Sequence, residues 1–137
     1  MNEASKIISE SLSGTNFKTV LLAGKAYTIY PPTIKIIVRA LGPLSQIDMN
    51  DKQNELSVIG EIPSNAPHMI KSISAFIVGD VNNWRWKAHR LGRQLEKATP
   101  KELNEALKTA VGLIQGQDFF DCAALAQNVV KMAASQK

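Results

Sequence analysis

Cys122, His68 and His89 are the side chains here that could serve nucleophilic or acid–base chemistry, and Asp118 with Asp121 forms a carboxylate pair. A thiol or hydroxyl nucleophile needs a base within hydrogen-bond reach, so such an enzyme should set a Cys or Ser in a polar turn beside a histidine. Neither histidine has that context. His68 directly follows Pro67 at the head of an apolar segment and reads as a cap-proximal surface position. His89 stands among basic residues and reads as a solvated helix position. Cys122 falls on an apolar stripe, where it is expected to be a buried small hydrophobe and not a reactive thiol. The spacing of Asp118 and Asp121 suits a helix cap and first turn, where negative charge complements the helix dipole. The lone cysteine lies far in sequence from both histidines, so no zinc spacing exists, and neither GxxxxGK[ST] nor GxGxxG occurs. No catalytic residue, metal site or cofactor is expected; the chain should work by binding another macromolecule.

Two features could carry that binding. The first is WRWKAHRLGRQLEK, residues 84–97, which gathers two tryptophans and the cations Arg85, Lys87, Arg90, Arg93 and Lys97 within four helical turns. Basic helices with adjacent aromatic side chains can hold a phosphate backbone and stack on bases. The plainer reading is an ordinary helix with a solvated basic face and Trp84 in the core. Trp86 discriminates: two positions from Trp84, it cannot share the same face, so it either closes a flank of the core or stands out as a binding anchor. The partner-binding candidates are Trp86, Arg90 and Arg93, with any part of the 34–41 stripe left exposed. The second feature is the amount of amphipathic helix relative to chain length, which makes grooves able to receive an apolar partner helix.

The elements that must position these residues follow from pattern. At 137 residues and net charge +4, with 45% apolar and 20% charged residues, the chain has the makings of one folded domain over 17–137. A Ser- and Asn-rich arm, 1–16, should precede it. No apolar run approaches the roughly 20 residues needed to span a bilayer, so no membrane is expected, and an unpaired cysteine suits a reducing cytoplasm. Val20, Leu22, Tyr27 and Ile29 alternate around Ala23-Gly24-Lys25, which predicts a β-hairpin with a glycine turn. Beyond Pro31-Pro32-Thr33, the residues Ile34, Ile37, Val38 and Leu41 predict an amphipathic helix ended by Gly42-Pro43. Residues 48–65 read mostly as a loop. Pro67 opens a helix carrying Met69, Ile70, Ile73, Phe76 and Ile77, closed by Gly79. A third helix, 82–98, lines Trp84, Ala88, Leu91 and Leu95 along one face. Thr99-Pro100-Lys101-Glu102 is a capping box, opening a helix with Leu103, Leu107, Ala110 and Ile114 inward until Gly116 stops it in a left-handed conformation. Asp118 should cap a last helix with Phe119, Cys122, Leu125, Val129 and Met132 on one face. The fold class expected is α+β, mainly α: an N-terminal β-hairpin followed by a bundle of about five helices.

The order of these signals resembles the tail assembly chaperones of long-tailed bacteriophages. The resemblance rests on the GKAYTIYPPT entry at residues 24–33, a helical middle, and a late segment of the form T-P-x-E-L-x-x-A-L ending near D-F-F. Those positions are Thr99, Pro100, Glu102, Leu103, Ala106 and Leu107, then Asp118, Phe119 and Phe120. It covers about residues 17 to 133, through caps and core positions. It implies a non-enzymatic chaperone in the host cytoplasm, binding the long, helical, aggregation-prone tape measure protein until tail tube subunits replace it. The rival expectation is a small basic nucleic-acid-binding accessory protein using the 84–101 helix, which predicts affinity falling steeply with salt.

Overall fold

The computed structural model describes residues 17–47 and 55–135. The arm at 1–16 and most of the interval between the first two helices lie outside the described residues.

Strands β1 (Lys18–Leu22) and β2 (Lys25–Ile29) form the antiparallel hairpin, with Val20 opposite Tyr27 and Leu22 opposite Lys25. Period-two alternation decides its faces: Val20, Leu22 and Ile29 are buried, whereas Leu21 points away. Only Ala23 and Gly24 connect the strands, both at positive φ, +53° and +79°. Such mirror-image turns match the strand twist, but alanine meets a Cβ clash there that Asn-Gly largely avoids. Ala23→Asn is therefore expected to stabilise the fold by about 1 kcal/mol, read as a higher urea midpoint with an unchanged slope.

Six helical segments follow among the described residues: α1 (Ile34–Leu44), α2 (Glu55–Gly60), α3 (Ile62–Val78), α4 (Trp84–Leu95), α5 (Pro100–Gly112) and α6 (Gly116–Ser135). The architecture is α+β and mainly α, a hairpin leading into a helical bundle. None of these helices is long and apolar enough to cross a membrane.

Helix α3 is the axis of the bundle. Ser72, Ile73, Ser74, Ala75 and Phe76 are all buried, and five successive residues at about 100° each span more than a full turn, so the helix is covered on every side at that level. It packs against α1, α4, α5 and β2. Small side chains allow the close approach. A Cβ on Gly92 of α4 would lie 3.3 Å from Ile70 Cγ2 and 3.6 Å from Ser74 Oγ. Leu95 of α4 and Ala106 and Ala110 of α5 complete the core, flanked by Leu91, Leu103, Leu107 and Ile114. At the head of α5 the capping box is complete: Glu102 N–H donates to Thr99 Oγ1 at 3.2 Å and Thr99 N–H to Glu102 Oε1 at 2.9 Å.

Several expected boundaries shift. Part of the segment read as a loop is helical: α2 occupies its later half, and α3 begins at Ile62 with Pro63 in its first turn, where no intrahelical N–H partner is lost. Pro67, expected to open that helix, sits inside it; the carbonyl it leaves unbonded belongs to exposed Pro63, where solvent can reach it. Helix α1 likewise continues through Gly42-Pro43 to Leu44. The third helix is shorter than 82–98, beginning at Trp84 after Asn83 in the left-handed region. Gly116 does not terminate α5. That helix closes at Leu113 through tight three-residue bonds such as Leu113 N–H to the Ala110 carbonyl, and Gly116 instead begins α6. Asp118 accordingly lies in the first turn of α6, as its third residue, and not at the cap assigned to it.

Candidate functional site

The apolar side chains that the bundle leaves uncovered point to the binding surface. Helix α6 has 20 residues, about 30 Å of length, and none of them is buried. Cys122, expected in the core, is exposed. Phe119, Leu125, Val129 and Met132 share its stripe and are exposed too, Leu125 by 65% and Val129 by 56%. The amphipathic pattern is as read; its destination is not. Behind this stripe stand Gln127 and Lys131 together with Phe120 and the alanines at 123, 124 and 134, so α6 has a bare apolar front and a mixed back. Phe120, about 100° beyond Phe119 at the edge of the stripe, is exposed on the back of the helix.

Helix α1 adds a smaller ridge. Its expected inner stripe faces outward: Ile34, Val38 and Leu41 are exposed, and Ile36 and Ala40 are buried instead, with Ile37 half-buried. The sequence IKIIVRAL is apolar on nearly all sides, and the face carrying small Ala40 is the one that seats against α3. Arg39 Nη1 and Lys35 Nζ meet the Asp80 carboxylate at 3.4 and 3.5 Å, tying α1 to the turn before α4. These pairs are solvent-exposed to differing degrees and contribute little to stability.

Helix α4 carries the sequence-predicted contact residues. Trp84 is half-buried and not in the core, correcting the plainer reading: Arg39 Cζ lies 4.4 Å from its ring centroid. Trp86 is 60% exposed and does not close a flank of the core; Arg90 Cζ lies 5.4 Å from its ring centroid. Positions 86, 90 and 93 recur at helical spacing, so Trp86, Arg90 and Arg93 share one exposed stripe. Arg85, Lys87 and Lys97 are exposed around it.

Between α3 and α4 runs a groove of 620 Å³, floored by Ala66, Ile70, Ala75, Ala88 and Gly92 and rimmed by Arg39, Lys71, Arg85, His89 and Arg93. It continues into a second hollow of 420 Å³ against α5, lined by Met69, Ile70, Leu95, Leu103 and Leu107. Ile62, Ala66, Ile70 and Glu96 belong to both, making one trough that is basic at one end and mostly apolar at the other, where Glu61 and Glu96 are the charged lining residues. His68 is half-buried and His89 exposed on the trough rim; no three His, Cys, Asp or Glu side chains gather among the described residues.

Sequence reasoning singles out Trp86, which is exposed, and gives no sign of the trough, which is built from four segments remote in sequence. Its expectation that Cys122 on the α6 stripe is buried fails, because helical periodicity is identical whether the covering partner lies in the same chain or in another. Off-stripe Phe120 was the available signal. No family model, curated protein or solved structure matches the chain.

Proposed function

We propose that the protein is a non-enzymatic assembly chaperone that captures amphipathic helices of an aggregation-prone partner along α6. The observation carrying this reading is the 20-residue α6 with its whole apolar face in solvent. Exposed apolar surface on that scale marks an interaction site, and pairing through apolar positions at i, i+3, i+4 and i+7 is a standard mode of helix recognition. The layout resembling phage tail assembly chaperones favours the tape measure protein as client: long, helical, and in need of shielding in the host cytoplasm until tube subunits compete for the same surface. Release then follows from mass action, with no chemistry required.

Co-expression of the full chain with the tape measure protein of the same genome tests this. The expected result is more soluble tape measure protein, recovered with the tagged chain after washing at high salt, because apolar burial is not screened. Tape measure protein that stays insoluble and is not retained overturns the reading.

Exposed Trp86 stacked by Arg90 specifically favours a second reading, a nucleic-acid-binding accessory protein. It predicts single-stranded or duplex binding whose logarithmic affinity falls by roughly 0.9 per log unit of salt for each duplex phosphate neutralised. A flat salt dependence rejects it.

A further inference from the structure

The trough and α6 are complementary to each other. The basic end of the trough presents Lys71, Arg85 and Arg93, none of them paired with a carboxylate among the described residues, above an apolar floor. The other end, with Met69, Leu103 and Leu107, is mostly apolar, and its charged lining residues, Glu61 and Glu96, are acidic. Helix α6 is graded in the same sense. Asp118 and Asp121 stand in its first turns, and Leu125, Val129 and Met132 continue along the same side for the rest of its length. At about 100° per residue, Asp118, Cys122, Leu125 and Val129 fall within a narrow arc, with Asp121 on its edge. Carboxylates at one end of an apolar stripe thus match cations at one end of an apolar trough, and this chain carries both halves.

We infer that α6 of a second copy occupies the trough. Because each copy has one α6 and one trough, a two-fold dimer satisfies both reciprocally, with Asp118 and Asp121 against the basic rim and Leu125, Val129 and Met132 over the apolar hollow. This dimer would be the storage form of the protein: it covers the bare face of α6, and any client helix must displace it.

Sedimentation of the purified full chain over a range of concentrations, with no client present, tests the inference independently of the chaperone reading. The wild-type chain is expected to dimerise. Two charge-reversal variants, Asp118→Lys/Asp121→Lys and Arg85→Glu/Arg93→Glu, should each associate at least tenfold more weakly, since like charges then face one another. Mixed in equal amounts they should form a heterodimer, because the unchanged acidic α6 enters the unchanged basic trough and the reversed pair also matches. All four residues are exposed, so circular dichroism should show both variants folded. A wild-type chain that stays monomeric, a dimer indifferent to both reversals, or reversed variants that fail to associate with each other would each overturn it.

Discussion

Replacing Leu125 and Val129 together by glutamate is expected to weaken capture of a client helix at least a hundredfold and to leave the stability of the bundle unchanged. Both side chains lie mid-stripe on α6 and contribute nothing to the core. Burying each against a partner helix is worth about 1.5 kcal/mol or more, so losing the two removes at least about 3 kcal/mol of binding, or two decades in Kd. Glutamate favours helix more than valine does, so α6 itself should persist. Substitutions at such surface positions usually shift stability by less than about 0.5 kcal/mol. A thermal melt followed by circular dichroism, run beside a co-precipitation with the tape measure protein, reads both effects. A large drop in melting temperature would mean that α6 is part of the folded core after all.

The reverse pattern is expected at Ile73. Its side chain is fully buried in α3, at the level where that helix is covered on all sides by α1, α4, α5 and the hairpin. Truncation to alanine leaves a cavity in a core to whose buried residues α1 and α5 contribute only small alanines besides Ile36. The expected cost is about 3 to 4 kcal/mol, enough to lower Tm by about 10 °C or more. Val38→Ala, on the exposed ridge of α1, should cost less than about 0.5 kcal/mol in the same assay. Equal losses at the two positions would contradict the assigned faces of α1 and α3.

What the sequence disclosed, and what it withheld, follows from the range of each interaction. Signals that are local in the chain were legible. The Thr99 capping box, the alternation of Val20 and Leu22 around a two-residue turn, and the stop at Gly79 all depend on neighbours within four residues, and all occur in the fold. The choice of face was harder. On α1, both the Ile34-Val38-Leu41 and the Ile36-Ala40 sides are apolar, and it is the second that is buried where α1 packs on α3. Pro67 shows the limit of a local rule: proline usually opens a helix, but here the hydrogen bond it removes faces solvent, and tertiary packing of the residues beyond it carries α3 through. The candidate site divides in the same way. Trp86 was identifiable because its offset from Trp84 forbids a shared face, whereas the trough exists only once residues 39, 66, 92 and 103 have been brought together.

Amide hydrogen exchange on the full chain, alone and co-purified with the tape measure protein at about 1 M salt, where charges are screened beyond about 3 Å, tests helix capture most directly. Capture along α6 predicts a complex that survives the salt, with exchange across residues 119–132 slowed relative to the free protein diluted until it is monomeric, and the α3 core unchanged. Loss of the complex at that salt, or a complex in which α6 exchanges as fast as before, would contradict it.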